Sequence, residues 1–428
     1  MLDAYPVKTS FWGETTAEPA SELIGHDEAD VVVVGAGLAG LSTAYHAARL
    51  DPSLRIAVVE KDYAGYGASG RNFGAVPQLA RADLVTLVGV LGSEGASFIV
   101  EHQSSMFEDF RRLVTDEHIE CEFEASDLLH IAVRPEMMSD LQRMHGQHKQ
   151  YDFPSELLDA GQTRSQVNMT AYGGLSCSRN GYVQPFMLTR GLREAALRAG
   201  VVVHEGSPMT SLRRGNGVVT VQTSRGSVTA RKCVLAMNAY SPGLGVAQGI
   251  VNPAYTYVLG TVPLDDEKFA LMGWGDRHRL IFDAGTRYMY MQMRSNRQFL
   301  IGGATRAWAS ADGNTLSPHN DVRSYQRVHR VMVERFPFLE TVAIDCAWGG
   351  PLGMTGSRYP VTAEIAEGIF LNAGYNGRGV LMASLSGRVL APQLTGINVD
   401  DDYRRYAELL LQFDARKAGA ALEKEIAE

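Results

Sequence analysis

The sequence predicts an α/β fold in which a parallel, helix-covered sheet is interleaved with an antiparallel one. Three observations predict it. Residues 30–40 read DVVVVGAGLAG, and four successive valines suit a strand buried on both faces of a parallel sheet. An Ala-rich amphipathic stretch, 41–50, and a second apolar strand, 55–59, follow at once. Far downstream, 288–304 (YMYMQMRSNRQFLIGGA) alternates like a strand, turns at Ser295-Asn296-Arg297 and returns, the pattern of an antiparallel hairpin.

The first unit has a physical reason at each position. Gly35 permits the tight turn after the strand, Gly37 lets the backbone approach a diphosphate, and Gly40 lets helix and strand pack closely. The helix beginning at Leu38 and Ala39 offers unpaired N–H groups and a partial positive charge to that diphosphate. Glu60, followed by Lys61, ends the second strand where a carboxylate can accept hydrogen bonds from a ribose. Strand, glycines, helix, strand and acid in register define a Rossmann-type dinucleotide unit. The acid disfavours a 2′-phosphate and leaves NAD and FAD open.

Composition narrows the class. The 428 residues are 45% hydrophobic and 21% charged, a globular balance large enough for two domains. A net charge of −8 without basic clusters excludes a nucleic-acid footprint. Cys121, Cys177, Cys233 and Cys346 form no CxxC pair, which points to buried reduced thiols rather than zinc or disulfides. His145 and His148 lie one helical turn apart without a third ligand nearby, so no metal is expected. The N-terminus lacks a basic stretch followed by an apolar one, and no apolar run reaches the roughly 20 residues of a membrane span. The expectation is a cytoplasmic protein.

After Glu60, residues 65–75 read GYGASGRNFGA. Here the sequence resembles the D-amino-acid oxidase superfamily, which includes glycine oxidase, sarcosine oxidase and γ-glutamylputrescine oxidase. The resemblance implies that Gly67, Ala68, Ser69, Gly70, Arg71 and Asn72 wrap the pyrophosphate and flavin of FAD. It implies that Val202 and Val203, on a strand after the helical stretch 185–199, turn their backbone toward the adenine. It places Met237 and Asn238 of KCVLAMNAYS (232–241) in a second nucleotide-side turn, with Met237 where Thr or a small residue is usual. In WGGPLGMT (348–355) it places Gly353 and Met354 beside the ring. In IFLNAGYNGRGVLMASLSGR (369–388) it implies that Gly374, Tyr375, Asn376, Gly377, Arg378, Gly379 and Val380 aim a helix N-terminus at the flavin, whose reduced anion the dipole stabilises. Arg378, where many relatives carry His, and SFWGETT (10–16) resemble the γ-glutamylputrescine oxidase branch. No His stands in GRNFG, and Cys346 lies off the family's attachment position, so noncovalent FAD is expected.

The resemblance also implies an interleaved plan: an N-terminal arm, 1–27; a Rossmann-type FAD-binding domain from 28–95, 175–250 and 341–428; and an antiparallel-sheet substrate domain from 96–174 and 251–340. Candidates over the flavin's reactive face are Tyr257, Tyr288, Tyr290, Arg294 and Trp348, which can orient a carboxylate or enclose an amine. Sheet packing is an equal reading for each tyrosine, Arg294 beside its turn is expected to be exposed, and Trp12 is expected to reach the site or pack the arm. The implied chemistry is oxidation of a C–N bond in a small amine or amino acid, by hydride transfer to flavin N5, imine hydrolysis and reoxidation by O2 to H2O2. A dehydrogenase passing electrons to a quinone or carrier protein also fits. So, more weakly, do an NAD(P)H-dependent flavin hydroxylase, whose acid AGYNGRG lacks, and a noncatalytic flavin carrier. Two departures stand out: Ser357 replaces the family's Asp before the loop proline, and QFLIG (298–302) lacks the lysine by which sarcosine oxidases speed reaction with O2. The amine and the oligomeric state stay open.

Overall fold

Four valines in a row have no polar face, so the strand they form has to be covered on both sides. The computed structural model, which describes residues 5–13, 21–77, 84–274, 278–284, 289–307, 321–399 and 402–410, covers it so. In strand β1 (Val31–Val34), Val31 and Val33 enter one apolar core and Val32 and Val34 another, the two-residue alternation of a pleated strand. Helix α1 (Leu38–Leu50) leads to β2 (Ile56–Val59), paired parallel to β1. The six-stranded sheet runs Val361–Ala366, Ile369–Ala373, Lys232–Leu235, β1, β2, Val202–His204, and only Val361–Ala366 is antiparallel to its neighbour. On one face lie α1, the long helix α2 (Leu84–Asp116) and α3 (Gly379–Thr395); on the other, a four-stranded sheet containing Gly25–Glu28 and Met209–Gly215.

The second large sheet is mainly antiparallel. Its order is β6 (Ile344–Met354), β3 (Asn252–Thr261), β5 (Phe299–Ala307), β4 (Tyr290–Met293), then His278–Asp283, Glu124–Ala132, Gly173–Tyr182 and Ala75–Val76. The β4–β5 hairpin pairs Tyr290 with Gly302 and Met293 with Phe299. One face carries Met291, Met293, Phe299 and Ile301 against the helix Val322–Arg335. The other carries Leu280, Leu300, Val258 and Trp348 and packs on Phe73, Phe186 and Trp12.

Three stretches depart from the boundaries drawn from the sequence. In α2, Ile99, Phe107 and Phe110 pack into the same core as α1 and α3, so 96–116 lies on the dinucleotide side. The strand Gly173–Tyr182 and β6 belong to the antiparallel sheet instead. Between them, Glu124–Ala132 and Ser155–Asp159 are strands of the same sheet. The arm also differs: Gly25–Glu28 joins the four-stranded sheet, and Val7 bridges Ala347 of β6. Near the C-terminal end Asp402–Leu410 is helical.

Candidate functional site

A cleft of about 500 Å³ opens at the C-terminal ends of β1 and β2, the end of a parallel sheet where ligands bind. Its wall contains Gly35, Gly37, Leu38 and Ala39, then Glu60 and Lys61, then Gly67, Ala68, Ser69 and Asn72. Met237 and Asn238 add a second side, and Tyr375, Gly377, Gly379 and Val380 bring in the start of α3.

Local chemistry explains the wall. Gly35 has φ +107°, in the left-handed region that favours glycine. A Cβ on Gly40 would stand 1.9 Å from the Gly35 carbonyl oxygen, so α1 rests directly on the turn. Glu60 accepts the Ala36 N–H (2.8 Å) and the Asp62 N–H (3.1 Å), which fixes its carboxylate at the rim. Burial raises its pKa, against those two amide bonds, which lower it. The Leu38 N–H donates to Ser69 Oγ at 2.9 Å and ties the 67–72 loop to the helix start. Asn72 turns its amide onto the Ala68 and Ser69 carbonyls and accepts the Gly74 N–H. Asn238 Oδ1 accepts the Gly374 N–H at 3.0 Å, and Asn376 accepts the Thr355 N–H at 2.9 Å. Neither Gly37 at the start of α1 nor Arg378 at the start of α3 caps its helix through a side chain. Two helix N-termini therefore present amide hydrogens and positive dipole ends to one cleft, a setting that fits an anionic dinucleotide.

The remaining sequence candidates stand behind this wall. Gly40, Gly70, Gly353, Met354, Gly374 and Asn376 are not among the lining residues. Arg71 is buried, donates Nε to the Tyr66 carbonyl at 2.7 Å and lies 4.5 Å over the Tyr66 ring. Arg378 lends its charge toward Tyr406. Val202 is 48% exposed, Val203 enters the core, and neither is among the lining residues. Pro208 and Met209, just beyond the strand Val202–His204, line the cleft. Tyr66, Tyr240, Pro351 and Leu352 are further lining residues; each sits inside a motif singled out above, one or more positions from the residue chosen there.

The sheet over this cleft sorts the substrate-side candidates by face. Tyr290 packs its ring 4.7 Å from Phe73 and hydrogen-bonds Thr256 Oγ1 at 2.8 Å. Tyr257 does not stand over the flavin side. It is buried on the opposite face, edge-on to Tyr325 of the helix Val322–Arg335, because alternation turns it away from Thr256 and Val258. Trp348 is fully buried, donates Nε1–H to the Arg71 carbonyl at 3.0 Å and stacks on Phe11. Arg294 is only 9% exposed, contrary to expectation. Its guanidinium lies 4.8 Å over the Trp12 ring and pairs with Glu122 at 2.6 Å, so an aromatic surface and a carboxylate replace water. Trp12 in turn donates its indole N–H to the Asn72 carbonyl at 2.7 Å, and Ser10 donates to the Gly70 carbonyl at 2.8 Å. The arm thus braces the loop that lines the cleft. Tyr288 lies outside the described residues. Among the described residues no cluster of His, Cys, Asp and Glu could hold a metal ion, and no helix is long and apolar enough to cross a membrane.

A glycine-turned dinucleotide cleft, closed by a second helix N-terminus and roofed by an antiparallel sheet, defines an FAD-dependent oxidoreductase. The chain belongs to the DAO family of FAD dependent oxidoreductases, whose family model matches residues 30–393. FAD is its cofactor, and the residues of the cleft fit it. Among its relatives, the γ-glutamylputrescine oxidoreductase of Escherichia coli is 27% identical over 372 residues, covering 86% of this chain and 84% of the relative. A probable oxidoreductase, OrdL, of Haemophilus influenzae is 27% identical over 379 residues, with 86% and 84% covered. The glycine oxidase structure from Geobacillus kaustophilus superposes with a TM-score of 0.71 at 20% identity, over 89% of this chain and 98% of that one.

Proposed function

We propose that the protein oxidises the C–N bond of a small amine or amino acid, with dioxygen as the acceptor and hydrogen peroxide as the product. When bound, FAD supplies the two-electron acceptor for that bond. In the overall reaction the amine, O2 and water give a carbonyl compound, the released amine or ammonia, and H2O2. The observation that carries the reading is the dinucleotide cleft under the buried sheet face of β4, in a chain whose family match runs from residue 30 to 393. The likeness to γ-glutamylputrescine oxidoreductase along most of both chains supports an amine as substrate.

The chain's own residues have three tasks. Gly35–Ala39 and Ser69 bind the cofactor's phosphates, and the start of α3 turns its positive dipole end toward the flavin ring. Trp348, Leu300, Val258 and Phe73 form an apolar wall that excludes water. A desolvated amine loses its proton more readily, and the neutral amine is the oxidisable form. Tyr290, held through Thr256, and Arg294, held by Trp12 and Glu122, orient the substrate. Free buried thiols at all four cysteines support a cytoplasmic location. A second reading, with a quinone or carrier protein as acceptor, draws support from the absence of lysine along β5. The test is an anaerobic screen for flavin bleaching with polyamines, N-methyl amino acids, glycine and D-amino acids. Admitting air should then regenerate the oxidised spectrum with one H2O2 per turnover. Bleaching reversed only by an artificial dye would select the second reading, and no bleaching by any amine would end the first.

A further inference from the structure

Asn372 stands in the strand Ile369–Ala373, beside Lys232–Leu235, and is 0% exposed. A primary amide so placed has two donor hydrogens and an acceptor oxygen to satisfy. Its Nδ2 donates among Ser386 Oγ at 2.9 Å, Thr43 Oγ1 at 3.0 Å and the Ala39 carbonyl at 3.3 Å. Its Oδ1 accepts the Tyr375 hydroxyl. Burial pushes that phenol well above its ordinary range, so it stays protonated and keeps donating. Donor directions agree around the cluster. Thr43 passes its own hydrogen to the Ala39 carbonyl at 2.8 Å, and Ser386 passes its hydrogen to the Ala383 carbonyl at 2.9 Å. A buried network satisfied in this way rigidifies the groups it joins.

The groups tied together belong to both helix starts. Ala39 is in the first turn of α1, Tyr375 is in the turn before α3, and Ala383 follows in α3; all three line the cleft. Further along, the two helices touch directly. A Cβ on Gly387 would stand 2.0 Å from the Ser42 carbonyl oxygen, and the Ser42 hydroxyl accepts the Gly387 N–H at 3.0 Å and donates to the Ser384 carbonyl at 2.8 Å. Ser42 joins α1 to α3; Asn372 joins both helices to the Tyr375 turn as well. A helix dipole acts within its first turn, so its effect on a bound group depends on where that turn stands. We infer that Asn372 is a positioning residue that sets the start of α1 and the Tyr375 turn in one register, and so fixes the phosphate end of the FAD cleft relative to its ring end. Asn372 is not among the lining residues and acts through Ala39 and Tyr375. The inference goes beyond the amine-oxidising reading, because it concerns how the cofactor is held and needs no substrate.

Three variants of the full chain test it: Asn372→Leu, Thr43→Val and Tyr375→Phe. Leucine is close to asparagine in size and makes none of these hydrogen bonds. Valine and phenylalanine each delete one hydroxyl, and they carry the test if the leucine variant does not fold. FAD affinity is measured by fluorescence titration of the stripped protein, and the midpoint potential of the bound flavin by equilibration with a reference dye. Asn372→Leu should bind oxidised FAD about tenfold or more weakly. It should weaken the reduced cofactor roughly three- to tenfold further, a potential about 15–30 mV more negative for a two-electron couple. Thr43→Val should weaken FAD binding and Tyr375→Phe should lower the potential. Both act through Asn372, so their effects on affinity should fail to multiply in the double variant. A folded Asn372→Leu with wild-type affinity and potential overturns the inference even if its thermal midpoint falls, because the amide would then serve the fold alone. Affinity losses in Thr43→Val and Tyr375→Phe that multiply to within about twofold in the double variant overturn it too.

Discussion

Replacing Gly40 by alanine tests the dinucleotide cleft at its tightest point. The added Cβ would stand 1.9 Å from the Gly35 carbonyl oxygen, 3.1 Å from its carbonyl carbon and 3.2 Å from Val33 Cγ1. Comfortable carbon contacts sit at about 3.5–4.0 Å, so α1 or the turn must retreat by about an ångström or more. Two of the three obstacles are backbone and the third is a buried strand side chain, so nothing flexible can yield. Overpacking of this kind costs about 1–3 kcal/mol. The displaced element is the helix start that meets the phosphates, and each 1.4 kcal/mol is about tenfold in affinity. Gly40→Ala is therefore expected to bind FAD roughly 10- to 100-fold more weakly, measured by fluorescence titration of the stripped protein. A control is Gly146→Ala, where a Cβ meets nothing within 4 Å in the helix Met137–Gln150, and FAD affinity should be unchanged. An alanine at residue 40 that leaves both affinity and thermal midpoint at wild-type values would refute the reasoning.

Three other outcomes are expected. Burial lowers His46 to about 3 and His148 to about 4 from the ordinary 6.5, with the charge of Arg388 and the neighbouring His145 adding to it respectively. Since the unfolded chain takes up protons near pH 6.5 and the native state does not, stability should fall as pH drops below 6.5, by about 1–2 kcal/mol per histidine at pH 5; urea midpoints at pH 7.5 and 5 measure it, and His46→Gln should flatten the slope. Tyr257→Phe should leave kcat/KM within about twofold, because its hydroxyl faces the helix Val322–Arg335, while Tyr290→Phe should lower it about tenfold or more; the reverse order in steady-state assays would overturn the face assignment. All four cysteines are buried, and burial pushes Cys121 and Cys177 up to about 12. Native protein should thus resist a thiol-reactive disulfide at pH 8, with all four thiols appearing only in denaturant.

The parts legible in the sequence are those whose requirements are local. From Val31 to Glu60 every demand falls on the residue itself or its near neighbours, and the observed strand, turn, helix and strand follow that pattern. The WGGPLGMT and AGYNGRG segments likewise lie at the cleft, through Pro351, Leu352, Gly377 and Gly379. What escaped depends on partners distant in sequence. The face of Tyr257 is set by pairing with β5 and β6, including an irregular step between Tyr255 and Tyr257. Arg294 reads as a turn residue until Trp12 closes over it. Gln292, a polar residue between methionines, resembles the solvent face of an amphipathic strand, and only the second core behind Met291 and Met293 shows that both faces are covered. In Glu124–Ala132 the last five residues are all buried, which hides the strand's alternation.

The arm that braces the cleft has a consequence for biosynthesis. Ala347, against which Val7 docks, is made roughly 340 residues after it, on the order of 20–70 s later at ordinary translation speeds. Until then Ser10 and Trp12 lack the strand edge that holds the arm in place, and the Gly70–Asn72 segment is without its clamp. Maturation of the cofactor-holding loop is therefore a late event, completed after most of the chain has been made.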